Sequence, residues 1–347
     1  MKNLKFLKNK TILITGGTGS IGSALVYRLV KSDCKAIRVM TNDENGLYEL
    51  SRDLNLSLLN YKKFYYSMSK NKIRFFLGDV RDYKRCFEVT KNVDIVIHAA
   101  ALKHVSIVEY NPSEAFQTNV NGTKNLVRAS VRNKVSKFLY ISTDKVVSPK
   151  NIMGKTKLEA ENIIINSKNN LKKNATKVSS IRFGNILGSR GSVIPNFVNL
   201  LKNKKDITVT DKRMARFVMS LDEAVNSVLK SINLMKGREI FILKSMKCFK
   251  IYDLALALVE HFKIKNKKKN KIIISKKYIG EKFKEELYSE DEIPFIKIKN
   301  NLFIITKYKY KQTNKINDML KKYRVSNFNY MPKKQIIKLL IKAKILY

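Results

Sequence analysis

Residues 10–22 read Lys-Thr-Ile-Leu-Ile-Thr-Gly-Gly-Thr-Gly-Ser-Ile-Gly, and this stretch decides the fold. A β-branched apolar run ends at Thr15, three glycines follow at a spacing of three, and an apolar-periodic segment comes next. This order predicts a strand, a tight turn and a helix. Gly16 permits the sharp turn, Gly19 lets the backbone approach a pyrophosphate, and Gly22 lets the helix pack closely on the strand. Because the amides that open such a helix face phosphates, the stretch predicts a dinucleotide site rather than a plain glycine-rich turn.

The length and composition suit a large α/β protein. The chain has 347 residues, 44% of them hydrophobic, which is enough for one large unit or two closely joined domains. No apolar run reaches the ~20 residues that span a bilayer, and no charged-then-apolar leader opens the chain, so we expect a cytoplasmic protein without membrane insertion. The three cysteines and three histidines lack metal-ligand spacing, so we expect no metal site and buried, inert thiols.

The formal net charge of +42 raises the question of nucleic-acid binding. The excess is mostly lysine scattered beside asparagine and isoleucine, whereas a nucleic-acid surface more often concentrates arginine with aromatic residues between the charges. Only residues 263–277 form a dense basic block, which is typical of a solvated loop or a sheet rim. We therefore expect no nucleic-acid partner, although the charge should attract acidic ligands such as nucleotides at low salt.

Short apolar runs alternate with longer segments at helical spacing in the first half of the chain. The predicted strands are 11–15, 36–40, 73–77, 94–98, 137–142 and 178–182, and the predicted helices are 21–32, 45–55, 83–90, 114–133 and 152–167. This alternation predicts a doubly wound parallel sheet whose ligand crevice lies at the strand C-termini. We expect residues 1–183 to form a dinucleotide-binding domain. Residues 184–347 are expected to form mainly a smaller substrate lobe, interleaved with that domain, and a C-terminal helix.

Residues at the ends of the third and fourth predicted strands extend the dinucleotide site. Asp79 follows the third strand, where its carboxylate can hydrogen-bond an adenine amino group, although an aspartate that only forms a turn fits the same position. Ala99, Ala100 and Ala101 follow His98 at the end of the fourth strand. Their small side chains let the backbone lie against the ribose and phosphate of a cofactor.

The fifth predicted strand leads into Thr143-Asp144-Lys145, and Met153 and Lys157 follow on one helical face. A lysine at position 157 can bond a nicotinamide ribose, and its positive potential lowers the pKa of a neighbouring hydroxyl. Asp144 and Lys145 project from the strand end into the same crevice, where an acid beside a possible base suits proton transfers at two carbons of one substrate. A solvated turn pair fits these two residues equally well.

Together these residues resemble the extended short-chain dehydrogenase/reductases, and within them the soluble UDP-N-acetylglucosamine 4,6-dehydratases of polysaccharide and glycan biosynthesis. The resemblance covers nearly the whole chain, residues 8–345, and implies a Rossmann-type doubly wound sheet with a smaller C-terminal substrate-binding lobe. Its motifs are Gly16–Gly22, His98–Val105 (HAAALKHV), Asn111-Pro112, Thr118–Val120, Ser142–Lys145, Met153–Lys157, Arg182–Pro195 (RFGNILGSRGSVIP), Thr208–Asp211, Met214–Phe217 and Gly280–Leu287 (GEKFKEEL).

The resemblance implies a redox-neutral cycle that converts UDP-N-acetylglucosamine to a UDP-4-keto-6-deoxy-N-acetylhexosamine. A nicotinamide takes hydride from C4, the 4-keto group acidifies the C5 proton, water is eliminated across C5 and C6, and the hydride returns to C6. By resemblance, Thr143 holds the 4-hydroxyl, Asp144 protonates the departing C6 hydroxyl and Lys145 takes the C5 proton. Lys157 binds the nicotinamide ribose.

Two sets of binding residues follow from the strand-end pattern and the resemblance together. The cofactor set comprises Gly16, Thr18, Gly19, Ser20, Ile21, Gly22, Asn42, Asp43, Asp79, Val80, Ala99, Ala100, Ala101 and Lys157. The substrate set comprises Lys103, His104, Asn185, Arg190, Ser192, Val193, Arg216, Glu281 and Lys282. Arg216 is expected to clamp the diphosphate, since a guanidinium suits phosphate oxygens. We also expect a homo-oligomer.

Three departures from the family pattern bear on these expectations. Met153 stands where the superfamily has its catalytic tyrosine, and a thioether cannot exchange a proton, so the base at C4 stays open among Lys157, Asp144 and a water. Related NADP-using members carry Ser-Arg-Asp-Glu where this chain has Thr41-Asn42-Asp43-Glu44. The family thus favours NADP, while the missing arginine makes NAD a competitor. Tyr278-Ile279 replace the usual Arg-Pro, a change that would loosen one substrate contact.

Two other functions fit part of the pattern. A UDP-sugar 4-epimerase of similar sequence would skip the elimination, but it needs no acid/base pair for C5 and C6, so Asp144-Lys145 favours the dehydratase. A non-catalytic nucleotide-binding or nucleic-acid-binding protein is disfavoured by the intact Thr143-Asp144-Lys145 and Lys157. The sequence leaves open whether C5 is inverted or retained.

Overall fold

The computed structural model describes residues 4–59, 72–167, 175–266, 270–277, 280–311, 313–323 and 328–346. Tyr278-Ile279 and the lysines at 267–269 lie outside these ranges. The strands are β1 (Thr11–Thr15), β2 (Ala36–Thr41), β3 (Ile73–Leu77), β4 (Ile95–His98), β5 (Lys137–Thr143), β6 (Lys177–Phe183), β7 (Asn185–Ile186), β8 (Ile207–Val209), β9 (Ala215–Met219), β10 (Ile240–Leu243), β11 (Lys247–Lys250), β12 (Ile272–Ile274), β13 (Ile296–Lys299) and β14 (Leu302–Ile305).

The helices pack around these strands. They are α1 (Ser20–Leu29), α2 (Glu44–Leu59), α3 (Tyr83–Thr90), α4 (Val105–Tyr110), α5 (Pro112–Ala115), α6 (Gly122–Arg132), α7 (Ile152–Ile165), α8 (Val193–Lys202), α9 (Leu221–Leu234), α10 (Ile251–Asn266), α11 (Asn314–Lys322) and α12 (Lys333–Lys342). A π-helical turn, Phe116–Asn121, separates α5 from α6. Shorter 3₁₀ turns occur at Lys5–Leu7, Asp144–Val146 and Ile293–Phe295. Within the described residues, no helix is both long enough and apolar enough to cross a bilayer.

Within the described residues, the central sheet has nine strands in the order β3-β2-β1-β4-β5-β6-β10-β14-β13. The strands from β3 to β10 pair in parallel, and β14 and β13 extend the edge in antiparallel fashion. Central strands read as continuous apolar runs because helices cover both faces, and β1 is buried throughout. The predicted doubly wound parallel sheet is therefore what the chain forms.

The predicted elements match the observed ones closely up to residue 183, with two differences. The predicted helix 114–133 is divided into α5, the π-helical turn and α6, and the sequence reading missed α4. After residue 183 the chain supplies β10, β13 and β14 to the central sheet, so the second half is physically continuous with the first. The described residues of the basic block include the end of α10, at Asn266, and residues 272–274, which form β12 and pair with β8.

Apolar clusters cover both faces of the sheet and fill the smaller lobe. One face packs α1 and α9 against the sheet through residues such as Leu25 and Val228, and the other packs α3, α6 and α7 through Leu126 and Ile164. In the lobe, α8, α10 and α12 surround β8 and β9. All three cysteines are buried and free, and burial raises the pKa of both Cys86 and Cys248 to about 12.

A buried ionic network joins the sheet, helix α7 and the late segment of the chain. Arg182 on β6 donates to Glu161 on α7 at 2.7 Å and to Glu292 at 2.7 Å. Arg182 and Glu161 are almost completely enclosed. The desolvated guanidinium therefore needs both carboxylates, and each carboxylate needs the guanidinium.

Replacing Arg182 by alanine would leave the Glu161 carboxylate buried without its cation, and we expect the free energy of unfolding to fall by about 3–5 kcal/mol. Arg28→Ala is the matched control, because Arg28 pairs with Asp222 at 3.2 Å on the surface. An exposed pair of this kind contributes at most about 1 kcal/mol. Urea denaturation followed by circular dichroism measures both losses, and equal losses would contradict the structural role of the network.

Candidate active site

A cavity of about 660 Å³ lies at the carboxyl ends of β1, β2, β4 and β5. All residues predicted to hold a cofactor line it, as do Thr143, Lys145 and Met153 from the predicted catalytic set. From the predicted substrate set, the lining includes Lys103, His104, Asn185, Arg190 and Ser192. The predicted residues that are absent from the described lining are Asp144, Val193, Arg216, Glu281 and Lys282.

The glycine-rich loop leaves no space for side chains at two of its three spaced glycines. Gly16 has a φ of +64°, and a Cβ there would lie 2.7 Å from the Cα of Ala100. A Cβ on Gly22 would lie 2.3 Å from the carbonyl oxygen of Gly16. Gly19 is different, because a Cβ there would meet only that carbonyl oxygen, at 3.2 Å. Gly19 is the N-cap of α1 and provides no side-chain cap, so the positive end of the helix faces the cavity.

The far end of the cavity is lined by carboxylates. Asp79 forms an ion pair with Arg81 at 2.8 Å and accepts a hydrogen bond from Asn42 at 3.3 Å. Partial burial raises the pKa of Asp79, but the hydrogen bonds and charge of Arg81 outweigh it, and the pKa lies below its usual value. Asp43 accepts a hydrogen bond from the amide of Gly46 at 2.9 Å and so caps the start of α2.

The alanine segment after β4 is held in place by Asn119, which lies in the π-helical turn. Its side chain accepts from the amide of Leu102 at 2.8 Å and donates to the carbonyl of the same residue at 3.1 Å. It also donates to Thr156 on α7 at 3.1 Å. The turn thus ties the floor of the cavity to the helix that carries Met153 and Lys157.

Lys157 and Met153 lie side by side on α7, as their spacing predicts. The ammonium of Lys157 donates to the carbonyl of Ile141 at 2.6 Å and lies 4.1 Å from the ring centroid of Tyr140. Burial lowers the pKa of Lys157 to about 7. Met153 is buried in a small apolar cluster with Val108 and packs as a hydrophobic residue.

The acid/base pair sits where β5 ends in a 3₁₀ turn. The ammonium of Lys145 donates to Asp144 Oδ1 at 2.9 Å and to Asn185 Oδ1 at 3.1 Å, and the hydroxyl of Thr143 donates to the same Asp144 oxygen at 3.0 Å. Asp144 is fully buried, so the two residues are not a solvated turn pair. Burial lowers the pKa of Lys145, but Asp144 and Glu285 raise it, and the pKa lies above its usual value. Lys145 therefore rests as an ammonium ion.

The segment after β7 places Arg190 over the glycine-rich loop. The guanidinium of Arg190 donates to the carbonyl of Thr18, and its backbone amide donates to Ser20 Oγ at 3.1 Å. Lys103 donates to the carbonyl of Arg190 at 2.9 Å. Gly191 has a φ of +69° and is packed so closely on His104 that a Cβ would lie 2.5 Å from the ring. Two cations, Lys103 and Arg190, thus line the cavity beside the glycine-rich loop.

Arg216 and Lys282, both predicted to contact the substrate, lie behind the acid/base pair. Arg216 is buried and donates to the carbonyls of Ala215 at 2.9 Å and Phe283 at 3.3 Å. Lys282 donates to the carbonyl of Val147 at 2.5 Å. Both bonds use the same guanidinium nitrogen, and Arg216 does not belong to the described lining of the cavity, so its contact with a diphosphate stays a prediction.

The sequence reading missed Glu285 as a site residue. Its side chain is 3% exposed, and its Oε1 lies 3.8 Å from the ammonium of Lys145. Burial raises the pKa of Glu285, as does Asp144, against the lowering by nearby cations. The signal was present in the motif Gly280–Leu287, but a surface glutamate and a buried one look alike in a sequence.

His98 is a structural residue. Its ring is fully buried, with Nδ1 2.7 Å from Thr15 Oγ1 and Nε2 3.0 Å from Thr123 Oγ1. Burial lowers the pKa of His98 to about 3, so the ring stays neutral and links β4 to β1 and α6. Among the described residues, no group of three or more His, Cys, Asp or Glu side chains is arranged to hold a metal ion.

Proteins that are similar in sequence match most of the chain. A protein of Methanocaldococcus jannaschii called an uncharacterized membrane protein is 43% identical over 338 residues, 96% of each chain. A UDP-glucose 4-epimerase of Rickettsia canadensis is 40% identical over 289 residues, 82% of this chain and 79% of that protein. The capsular polysaccharide biosynthesis protein CapD of Staphylococcus aureus is 41% identical over 295 residues, 83% of this chain but 46% of that protein.

Solved structures match the fold. Pen from Bacillus thuringiensis has a TM-score of 0.85 at 35% identity, covering 97% of this chain and 98% of that one. The dTDP-glucose 4,6-dehydratase DesIV of Streptomyces venezuelae, solved with NAD bound, has a TM-score of 0.67 at 18% identity, covering 90% and 97%. The UDP-glucose 4-epimerase of Thermotoga maritima, solved with UDP-glucose, has a TM-score of 0.64 at 18% identity, covering 81% and 90%.

The last two similarities show the fold alone, and they confirm the predicted Rossmann-type doubly wound sheet. A family model described as polysaccharide biosynthesis protein matches residues 12–307. The matched region includes the glycine-rich loop, the acid/base pair and the segment that carries Glu285. The chain therefore belongs to the polysaccharide biosynthesis protein family.

Proposed function

We propose that this protein is a nucleotide-sugar 4,6-dehydratase that converts UDP-N-acetylglucosamine to a UDP-4-keto-6-deoxy-N-acetylhexosamine for surface polysaccharide or glycan biosynthesis. The observation that carries the proposal is the pair formed by the fully buried Asp144 and the partly buried Lys145, 2.9 Å apart, beside the cavity that Lys157 also lines. Family membership and the relatives named for nucleotide-sugar chemistry support the broader class of enzyme. The choice of N-acetylglucosamine rests on the resemblance of the motifs.

A UDP-sugar 4-epimerase is the second candidate, because the relatives from Rickettsia carry that name. An epimerase exchanges hydride at C4 only, so it has no use for a separate acid and base near C5 and C6. Burying a carboxylate and an ammonium together carries a large desolvation cost. Because Asp144 and Lys145 lie beside the cavity, they can serve as acid and base in an elimination across C5 and C6. The epimerase reaction has no such step, so the pair favours the dehydratase.

The residues present fit a nicotinamide dinucleotide. A side chain at Gly16 or Gly22 would prevent the close backbone contacts of the glycine-rich loop. Gly19 leaves room for a pyrophosphate at the positive end of α1. Lys157 lines the same cavity and would bond the nicotinamide ribose. When bound, the dinucleotide would supply reversible hydride transfer at the sugar carbons.

The described lining near Asn42 favours NAD over NADP, although the family resemblance favours NADP. Asp43 and Asp79 line that end of the cavity, and the arginine that related NADP-using members carry after the second strand is Asn42 here. Two carboxylates would repel a 2′-phosphate, whereas a carboxylate accepts hydrogen bonds from a ribose 2′-hydroxyl. Arg81 is nearby, but it is engaged by Asp79 at 2.8 Å and Glu114 at 2.7 Å.

The Asp144–Lys145 ion pair carries one transferable proton, on Lys145. The elimination needs one proton, for the departing C6 hydroxyl. Transfer of one proton from Lys145 to Asp144 along their hydrogen bond yields a neutral amine and a carboxylic acid. The amine of Lys145 then takes the C5 proton while the acid of Asp144 protonates the departing C6 hydroxyl. The pair returns to its ionic form as water leaves, so no proton from outside is required at this step.

The proton of the C4 hydroxyl must go to a group other than Met153, which is packed in an apolar cluster. Thr143, which would hold that hydroxyl, already donates to Asp144 at 3.0 Å. Burial lowers the pKa of Lys157 to about 7, so its amine can accept a proton near neutral pH, and we favour it for this role. A cytoplasmic location and a homo-oligomeric state stay predictions.

Incubation with UDP-N-acetylglucosamine in D₂O, followed by NMR, tests the reaction. We expect a C6 methyl signal, loss of the H4 signal, and deuterium at C5, because the C5 proton exchanges with solvent through Lys145. The configuration at C5 is read from the same spectra. An epimerase would give the 4-epimer with an intact C6 hydroxymethyl group and no deuterium at C5, which would refute the dehydratase.

Lys145→Ala and Asp144→Asn should each lower kcat by roughly 10²–10⁴-fold, because each removes a proton-transfer group. Binding of UDP-N-acetylglucosamine, measured by calorimetry, should change little. Lys155→Ala is the control, because Lys155 lies on the exposed side of α7 and should leave kcat unchanged. Retention of wild-type kcat in either active-site variant would contradict the assigned roles.

Gly19→Val should fold but lose the dinucleotide, because the added methyl groups occupy the space of the pyrophosphate. The backbone at Gly19 has a φ of −68°, which valine adopts freely. Mass spectrometry of the cofactor released from purified protein measures both its amount and its identity as NAD or NADP. Ser23→Ala, one turn further along α1, should retain the cofactor. A Gly19→Val protein that keeps a full complement of dinucleotide would refute the proposed position of the phosphates.

A further inference from the structure

We propose that Glu285 is a positioning residue that makes Lys145 a strong base: its buried carboxylate stabilises the ammonium form of Lys145. The inference rests on the proposed function, which assigns Lys145 the C5 proton. Glu285 lies outside the described lining of the cavity and therefore acts through Lys145 rather than on the sugar.

The geometry around Glu285 is that of an incompletely satisfied buried acid. Oε1 lies 3.8 Å from the ammonium of Lys145, and Oε2 lies 3.6 Å from that of Lys282. Oε2 is buried and has no hydrogen-bond partner among the residues that the structure describes. A carboxylate that is removed from water without a full set of hydrogen bonds costs stability. The carboxylate of Glu285 lies beside Lys145, and its effect on Lys145 would explain why this cost in stability is tolerated.

The charges that face Glu285 come from several elements. Asp144 and Lys145 approach from the end of β5, Arg216 from β9 and Lys282 from the same late segment. Cys248 on β11 also lies near Asp144 and Arg216, but burial raises its pKa to about 12 and keeps it neutral. Three cations thus face two carboxylates.

Removing one carboxylate would change this balance in a direction that can be predicted. Without Glu285, the three cations would face Asp144 alone, and the ammonium of Lys145 would lose its second anionic neighbour. The proton of Lys145 would then leave at a lower pH, and the amine would be a weaker base. A weaker base removes the C5 proton more slowly, since general-base efficiency follows the basicity of the group.

The backbone of residues 283–287 is bonded to the sheet strands, and this keeps Glu285 in place. The carbonyl of Phe283 accepts from the amide of Ala215 at 2.8 Å and from Arg216 at 3.3 Å. The carbonyl of Leu287 accepts from Arg182 at 3.3 Å. Glu285 therefore lies between two residues whose backbone is tied to the sheet strands, and it can hold a fixed distance to Lys145.

Competitive acetylation of the whole protein over a range of pH, with site-resolved mass spectrometry, measures the titration midpoint of Lys145 without reference to activity. In Glu285→Gln we expect the midpoint to fall by about 1–3 pH units, the usual effect of one opposite charge at this range. Glu285→Asp keeps the negative charge but moves it farther from Lys145, so the midpoint of Lys145 should fall by less. Glu286→Gln, on the exposed neighbour, should leave the midpoint unchanged.

The pH dependence of kcat/KM for UDP-N-acetylglucosamine is the second measurement. We expect the alkaline limb to move to lower pH in Glu285→Gln with little change in KM, whereas a merely structural defect would lower activity equally at every pH. A Lys145 midpoint that is unchanged in both Glu285 variants would overturn the role of Glu285. Absence of a 6-deoxy product from the wild-type protein would instead overturn the proposed function, so the two failures are distinguishable.

Discussion

The contact between the backbone of Gly16 and the backbone at Ala100 is the constraint on which the rest of the site depends. A Cβ at Gly16 would lie 2.7 Å from Ala100, so the ends of β1 and β4 approach each other only because glycine stands there. Gly22, in the first turn of α1, repeats the constraint and fixes α1 against the loop. The result is a crevice whose floor is backbone, with the positive end of a helix on one side and the strand ends on the other.

At the opposite end of the crevice, the structure is organised by charge rather than by close backbone contact. Asp144 is fully buried and receives hydrogen bonds from Thr143 and Lys145, and Glu285 approaches Lys145 from a different part of the chain. A buried ion pair is rarely retained for stability alone, because desolvation offsets its attraction. The two ends thus differ in character: close backbone contacts shape one, and charged side chains hold one another in place at the other.

Features with a local cause could be predicted from the sequence, and features set by tertiary contacts could not. The strands up to β6 follow from apolar runs, and the predicted lining of the crevice follows because parallel strands end at one edge. The π-helical turn was not predicted, and Asn119 within it makes tertiary hydrogen bonds to Leu102 and Thr156. The placement of Arg216 behind the acid/base pair could not be predicted, because a motif identifies a residue type and not the face on which it lies.

Met153 limits the number of groups on α7 that can exchange a proton. With a thioether where the superfamily has a tyrosine, α7 offers one proton-exchanging group to the cavity, Lys157, and its methionine packs with Val108. In the proposed dehydratase, proton transfer at C5 and C6 of the sugar would therefore fall to the end of β5, where Thr143, Asp144 and Lys145 share hydrogen bonds. A site that relies on a single lysine for a weakly acidic carbon proton needs that lysine to be strongly basic, yet burial alone would lower its pKa. The second carboxylate, Glu285, supplies the compensation that burial makes necessary.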